Sequence, residues 1–439
     1  MATGLAAPPA APDVASIQRR TLRLLFATQI VGGIGVTIGV AVGALLASDV
    51  AGTAVAGLVS SAAVVGGALL AVPVTRIMNA RGRRPGLVVA YLTGAAGGAL
   101  VVLAATVRSV PLLFLGMLLF GGGSAANLQA RYAAVDLAAP ARRGRQLSLI
   151  VWATTIGAVA APNFASLADR TTSGWGLPAL AGPFAFSAVA LVLAAGAILA
   201  LLRPDPLLTA RRLVPAAATA GIPATPTAAP APPAARGAGM RAAWSAVRAR
   251  PAARLGIVAV AVGHLVMVAV MVMTPVRLHE WHADADVLRV VGLVLSLHIA
   301  GMYALAPVAG WLTDRLGRRA VILGGVGLLL AACAVAGTAG HHTARLSVGL
   351  FLLGLGWSGT MVAGSTLLSE SVPVGIRPSV QGLSDLTMGL AGAAAGAVSG
   401  FVVEAAGYPV LTLLAAVAVA PLVTLALRPV PVGAPDEED

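Results

Sequence analysis

The sequence predicts an all-α integral membrane protein whose twelve transmembrane helices form two pseudo-symmetric six-helix bundles. Two observations carry this prediction. Of the 439 residues, 58% are hydrophobic and only 10% are charged, and the mean hydropathy is +0.91. A soluble protein of this length could not cover so much apolar surface with so few charges. In addition, landmark residues recur at a constant offset of 235 between the two halves of the chain.

Each predicted span is an apolar stretch long enough for a helix to cross a bilayer, which takes ~20 residues. The twelve stretches lie at roughly 24–46, 52–74, 86–107, 111–133, 147–168, 180–202, 255–276, 288–311, 320–339, 346–368, 382–405 and 409–427. The single cysteine, Cys333, lies inside one of these stretches, so an intrachain disulfide is impossible.

The net charge of +13 comes from arginine alone, because all 29 basic residues are Arg. If the N-terminus is cytoplasmic, 23 arginines fall on the cytoplasmic side and five fall outside. Those five are Arg108, Arg170, Arg277, Arg289 and Arg345, and Arg131 falls at the end of a span. This bias predicts a multi-pass protein of the inner or plasma membrane with both termini in the cytoplasm. Charge spread in this way also argues against nucleic acid as a partner.

The chain divides into four segments. Residues 1–202 form a first six-helix half, 203–250 a cytoplasmic linker, 251–428 a second six-helix half and 429–439 an acidic cytoplasmic tail. The linker is rich in Ala, Pro and Arg and lacks apolar periodicity, so we expect a semi-extended segment with a short surface helix near 240–247.

The two halves repeat each other. The clearest landmarks are Gly82-Arg83-Arg84 with Gly317-Arg318-Arg319, Gln146 with Gln381, and Arg142 with Arg377. Two parallel six-helix halves are one of the transporter architectures, in which the substrate site lies near mid-membrane between the halves.

One loop of the second half carries a specific motif. The segment Gly310-Trp-Leu-Thr-Asp314-Arg315-Leu-Gly317-Arg318-Arg319 resembles the signature loop of the major facilitator superfamily. The resemblance extends over essentially the whole chain and implies a twelve-helix transporter working by alternating access. In that family the loop is a conformational latch, and Asp314 would bridge neighbouring helix ends in one state and release them in the other.

The first half keeps only part of this motif. Gly82, Arg83 and Arg84 remain, but Thr75, Asn79 and Ala80 stand where the family has Gly, Asp and Arg. With Asn79 neutral, we expect a weaker first-half latch. Arg131 and Asp136, at the predicted end of span four, are expected to join the latch, with helix-end capping as the alternative.

Five candidate metal ligands lie on two consecutive spans: His264, Met267, Met271, His298 and Met302. Their spacings place each set on one helical face. Thioether and imidazole groups together suit copper, especially Cu(I). None of the first-half counterparts at the offset of 235 is Met or His, so internal symmetry does not account for them.

We expect spans seven and eight to face each other, so that both sets meet near mid-depth. The pattern resembles the copper-importing branch of the superfamily that supplies cytochrome oxidase assembly, although equivalents of that branch's cysteines are missing beyond Cys333. The resemblance implies copper as an imported substrate, with no permanently bound cofactor. The alternatives are apolar packing for the methionines and structural hydrogen bonds for the histidines.

Polar side chains of the first half are candidates for the opposite wall of a central cavity. They are Gln29, Asn127, Gln129, Trp152 and Asn163. Such amides also hold membrane helices together, at ~0.6 kcal/mol per bond.

The main alternative function is proton-coupled export of drugs or other small amphipathic organic compounds. Its support is Gly157-Ala-Val-Ala-Ala161-Pro162, which loosely resembles a motif of the family's drug antiporters. Against it, spans one to six lack a carboxylate near mid-depth, and Asp385 and Glu404 are predicted at opposite ends of span eleven. No enzyme motif is visible. We expect a monomer whose partners are the bilayer, a metal ion or small molecule, and protons.

Overall fold

The computed structural model describes residues 13–51, 53–174, 176–178, 180–219, 239–279 and 284–428. This part of the chain is mostly helical and contains no strand. The first half comprises α1 (Val14–Ala51), α2 (Thr53–Arg81), α3 (Arg83–Val107), α4 (Val110–Ala133), a 3-10 turn (Pro140–Arg142), α5 (Arg143–Ser173) and α6 (Gly182–Leu201).

Within the described residues, the linker and second half contribute ten further helices. They are α7 (Pro206–Thr219), α8 (Met240–Ala249), α9 (Pro251–Val272), α10 (Thr274–His279), α11 (Asp284–Tyr303), α12 (Ala306–Leu316), α13 (Arg318–Gly337), α14 (Thr343–Glu370), α15 (Arg377–Val417) and α16 (Ala420–Leu427).

The helices account for all twelve predicted spans. Ten stretches of the described chain are long and apolar enough to cross a membrane. One of them, Arg377–Leu427, contains the last two predicted spans, and the chain turns between them at Gly407, whose φ of +81° suits glycine. The predicted fifth span lies within α5, which is 31 residues long.

The linker differs from the expected semi-extended segment, because α7 is a regular helix. The carboxylate of Asp205 accepts hydrogen bonds from the backbone amides of Leu207 and Leu208, at 3.0 and 3.2 Å, and so caps its N-terminus. A prediction based on apolar periodicity does not detect such a cap. The expected short helix near 240–247 is α8. Residues 220–238 and the acidic tail lie outside the described residues.

Each half has its own apolar core. In the first, Phe120 and Phe184 pack edge to face, with ring centroids 5.5 Å apart. In the second, Leu353, Trp357 and Tyr408 belong to the core. Close helix crossings need small residues: a Cβ added at Gly356 would lie 2.8 Å from the backbone nitrogen of Leu329.

The halves meet mainly where α2 packs on α15 and where α5 packs on α12. We call the end of the bundle formed by residues 75–84, 129–148, 310–319 and 370–385 the arginine-rich end. Both crossings pass through it.

Candidate functional site

The two Met/His sets do not face each other directly. Among the described residues, α9 and α11 make little direct contact, and both pack against α14. The expectation that spans seven and eight lie face to face is therefore wrong. Adjacency in sequence did not reveal that α14 inserts between them.

His298, on α11, is fully buried. Its Nδ1 lies 2.8 Å from the carbonyl oxygen of Leu350 on α14, so Nδ1 carries the proton and donates. Its Nε2 is then an acceptor, and it has no partner among the described residues. Met302, one turn further along α11, is also buried in the second-half core.

His264, on α9, has the opposite tautomer. Its Nδ1 accepts a hydrogen bond from Trp357 Nε1 at 3.1 Å, which leaves Nε2 protonated. The ring also lies against α15, where a Cβ added at Gly392 would be 2.9 Å from Nε2. Met267 and Met271 pack in or against the second-half core. In the described part of the chain, His, Cys, Asp and Glu side chains form no group of three that could hold a metal ion.

Aromatic side chains extend between the two halves. Phe26 and Trp152 stack at 5.8 Å, and Tyr303 meets Trp357 edge to face at 5.6 Å. Trp152 and Tyr303 both pack on one apolar cluster shared by the halves. We call Phe26, Trp152, Tyr303 and Trp357, together with His264, the aromatic belt.

Two predicted cavity residues bind other helices of their own half. Gln29 Nε2 donates to Thr154 Oγ1 at 3.2 Å, and Asn127 Oδ1 accepts from the Tyr91 hydroxyl at 3.0 Å. Each amide thus joins two helices of the first half, while Gln29 Oε1 has no partner among the described residues. Trp152 belongs to the aromatic belt. The side chain of Asn163 lies outside the described residues.

A buried ion pair joins the halves. Arg131 Nη2 lies 2.5 Å from Asp385 Oδ1, and Gln129 Nε2 donates to Asp385 Oδ2 at 2.7 Å. The side chains of Arg131 and Asp385 are only 2% and 1% exposed. Arg131 also donates to the Tyr132 hydroxyl, while its Nε and Nη1 have no partner among the described residues.

Asp385 lies near the start of the span, as the sequence predicted, eight residues after Arg377, where α15 begins. Its carboxylate contacts α4 of the other half, which the sequence did not reveal. The predicted span began at residue 382 because the preceding turns are polar. Those polar turns are buried between the halves instead.

A second buried pair lies beside the first. Arg83 binds Asp136 through two bonds, at 2.7 and 3.1 Å, and both side chains are fully buried. The same guanidinium donates to Gln129 at 3.3 Å and to Gln381 of the other half at 2.6 Å. Arg83 thus connects the first-half signature loop to α4 and α15.

The second-half signature loop contacts the start of α5. The Asp314 carboxylate accepts from the backbone amides of Gly144 and Arg145, at 2.8 Å each, where a helix N-terminus favours negative charge. Gly310 allows this approach, because a Cβ there would overlap Ser148 Oγ.

Arg318 adds another contact between the two halves. Its guanidinium binds Glu370 at 2.9 and 2.8 Å within the second half. It also donates to the Pro140 carbonyl of the first half at 2.7 Å. Arg143 of the first half approaches Glu370 at 3.5 Å.

Other signature residues bind within their own half or the linker. The backbone amide of Arg84 donates to Asp205 of the linker, and its guanidinium donates to the Leu199 carbonyl. Arg315 lies over the Trp311 ring, and Arg319 donates to the carbonyls of Ala426 and Arg428. Gly82 and Gly317 form the turns, with φ of +95° and +91°.

Comparison with known proteins identifies the family. A family model described as Major Facilitator Superfamily matches residues 24–285 and 278–439. The chain belongs to the major facilitator superfamily. Two relatives from Bacillus subtilis (strain 168), both described as uncharacterized MFS-type transporters, match nearly end to end. YdeG is 38% identical over 91% of this chain and 89% of its own, and YddS is 36% identical over 91% and 88%.

Solved structures of other superfamily members share the fold. The fucose:proton symporter FucP of E. coli has a TM-score of 0.64 and 18% identity, covering 92% of this chain and 97% of its own. The human organic anion transporter MFSD10 has a TM-score of 0.68 and 17% identity, covering 96% and 100%. The proton:xylose symporter XylE has a TM-score of 0.70 and 16% identity, covering 93% and 96%. At such identities these likenesses show the fold alone.

The chain is therefore a membrane transporter of the major facilitator type. Sequence reasoning missed Phe26, Tyr303, Trp357 and Asp385 as candidate site residues. Aromatic residues make up only 4% of the chain, so their presence within spans was a usable signal. A cavity of about 240 Å³ lies elsewhere, between α9 and α15, and its apolar lining includes the exposed Val398 and Leu414.

Proposed function

We propose that this protein is a proton-coupled secondary transporter of small amphipathic organic compounds, acting by alternating access as a monomer without a resident cofactor. The observation that carries this proposal is the buried Arg131–Asp385 pair, which joins the halves within electrostatic reach of Tyr303 and His264 in the aromatic belt. Aromatic walls and a few convergent polar groups are typical of sites for small organic ligands.

We further propose that the arginine-rich end faces the cytoplasm of the cell, so that both termini are cytoplasmic. The arginine bias of the loops supports this orientation. The latch contacts close that end. By contrast, α1 and α9, which contain the first spans of the two halves, make little direct contact among the described residues. The described state would then be open to the outside. A membrane-impermeant thiol reagent should reach Arg142→Cys, in a Cys333→Ala background, from the cytoplasmic side only.

Asp385 is the proposed proton carrier. When the halves separate at the arginine-rich end, Arg131 leaves Asp385, and a carboxylate without its countercharge is stabilised by taking up a proton. The charged, titratable and hydrogen-bonding groups around the pair are Gln129, Tyr132, Arg83, His264 and Tyr303.

Copper import is the second candidate, and one observation favours it. His298 donates through Nδ1 to a backbone carbonyl and keeps a buried Nε2 acceptor free, the arrangement typical of metal-bound histidines. Against copper, the Nδ1 lone pair of His264 is occupied by Trp357, and α14 lies between the two ligand-bearing helices. The geometry therefore favours an organic substrate.

One experiment separates the two candidates. Purified protein in liposomes is supplied with radioactive copper or with a panel of lipophilic anions and cations, and internal pH is followed with a dye. We expect proton flux with an organic compound, its loss in Asp385→Asn, and the same flux in Met271→Leu/Met302→Leu. Copper uptake that disappears in the double methionine variant, with no organic compound moving protons, would reverse the assignment.

A further inference from the structure

Resting on the proposed function, we infer that Arg131 is the anchor for an anionic group, specifically a carboxylate, of the transported compound. Asp385 would be the resident countercharge that the carboxylate replaces. The substrate class is then an organic acid with a flat apolar body.

A count of donors and acceptors at the pair favours an anion over a cation. Both oxygens of Asp385 are used, one by Arg131 and one by Gln129. The guanidinium of Arg131 has five N–H donors, yet its Nε and Nη1 are buried without a partner among the described residues. The site is short of acceptors, which a carboxylate supplies and an ammonium group does not.

The surroundings of Arg131 fit the apolar body of such a compound. Arg131 lies over the Tyr132 ring, 4.6 Å from its centroid, and within electrostatic reach of Tyr303 and His264 in the aromatic belt. Flat apolar groups stack well on such rings. A carboxylate at Arg131 would therefore place its attached ring against the belt.

The alternating motion gives the carboxylate access. Arg131 belongs to α4 of the first half, and Asp385 belongs to α15 of the second. When the arginine-rich end opens, Asp385 moves away, and the buried guanidinium loses its only described carboxylate partner. A substrate carboxylate can then form a bidentate pair with it, which is stronger than a neutral hydrogen bond.

The test uses three naphthyl probes that differ only in the head group: naphthoate, naphthamide and naphthylmethylammonium. Binding of tritiated naphthoate to the full-length protein in lipid nanodiscs is measured directly, and the other two compete against it. We expect naphthoate to bind about tenfold or more tightly than naphthamide, as a charge-assisted bond requires, and the ammonium probe not to compete.

Three variants sharpen the test. Asp385→Asn frees Arg131 from its countercharge and should tighten naphthoate binding by roughly tenfold, which a purely structural pair would not do. Arg131→Gln/Asp385→Asn keeps the site neutral, so that folding is preserved, and should abolish the preference for naphthoate over naphthamide. Arg142→Gln, an exposed arginine at the same end, is the matched control and should bind like the parent.

Each contrary result overturns the anchor role of Arg131. These results are absent naphthoate binding, equal binding of naphthamide, tighter binding of the ammonium probe, or an unchanged preference in Arg131→Gln/Asp385→Asn. If the ammonium probe binds best and also drives proton flux in liposomes, the protein transports organic compounds, but its substrates are not organic anions. If no compound elicits proton flux, the proposed function itself is wrong.

Discussion

At the scale of single residues, the first-half departures from the signature motif are compensated by the residues that face them. Gly310 on α12 faces Ser148 on α5, whereas the equivalent Thr75 on α2 faces Gly382 on α15. A Cβ at Gly382 would overlap Thr75 Oγ1. The small residue therefore lies on α12 at the α5–α12 crossing and on α15 at the α2–α15 crossing, and both helix pairs approach closely.

Gly310→Ala tests how tightly the α5–α12 crossing must close. The added methyl would overlap Ser148 Oγ and lie 2.6 Å from the Gly144 carbonyl oxygen. Such overpacking typically costs about 1–3 kcal/mol, so we expect a lower midpoint of thermal unfolding. Gly324→Ala is the control, because its Cβ would meet nothing within 4 Å. Equal midpoints for both variants would show that the crossing is looser than described.

At the scale of elements, the linker helix α7 is part of the closed arrangement. Arg211 donates to the Asn79 carbonyl at 2.7 Å in the first half and to the Gly375 carbonyl at 2.9 Å in the second. Asp205, which caps α7, also accepts from the backbone amide of Arg84 at 2.8 Å. The linker therefore holds the two halves together at the arginine-rich end.

Arg211→Gln should loosen this end. Loss of hydrogen bonds from a charged donor, each worth about 1.5–3 kcal/mol, should raise the open population. The reporter is Thr313→Cys in a Cys333→Ala background, since Thr313 is fully buried at the α5–α12 crossing. In Arg211→Gln we expect maleimide to label the reporter cysteine roughly tenfold faster than in the parent. Arg212→Gln, which changes the exposed neighbouring arginine, is the control and should leave the labelling rate unchanged. Unchanged labelling in Arg211→Gln would mean that α7 contributes nothing to closure.

At the scale of the whole molecule, the sequence predicted what hydropathy and repetition encode. The twelve spans, the two halves and the Asp314 loop all follow from local patterns. The Arg131–Asp385 pair, 254 residues apart, exists only after the halves dock. The position of α14 between α9 and α11 likewise depends on packing that no local pattern encodes. Because these contacts are long-range, the sequence did not reveal that α14 separates the two helices that bear the predicted metal ligands.

The two halves are related by sequence but close with different chemistry. Asp314 binds the backbone at the start of α5, whereas its counterpart Asn79 donates to Ser379 at the start of α15. Ser379 is itself the counterpart of Gly144 at the offset of 235. One crossing therefore uses a carboxylate at a helix N-terminus, and the other uses a neutral amide supported by Arg211.

Exchanging these two side chains tests whether closure depends on that asymmetry. Asp314→Asn removes the charge at the α5 N-terminus, where an anion contributes about 0.3–1 kcal/mol and up to ~2 kcal/mol when partly buried. Labelling of Thr313→Cys should then accelerate.

Asn79→Asp places a carboxylate beside Arg211 and the start of α15, so labelling should slow. The combined Asn79→Asp/Asp314→Asn variant should return close to the parent rate, because one carboxylate latch remains and the halves move as rigid units. A combined variant that labels as fast as Asp314→Asn alone would instead show that only the α5–α12 crossing controls opening.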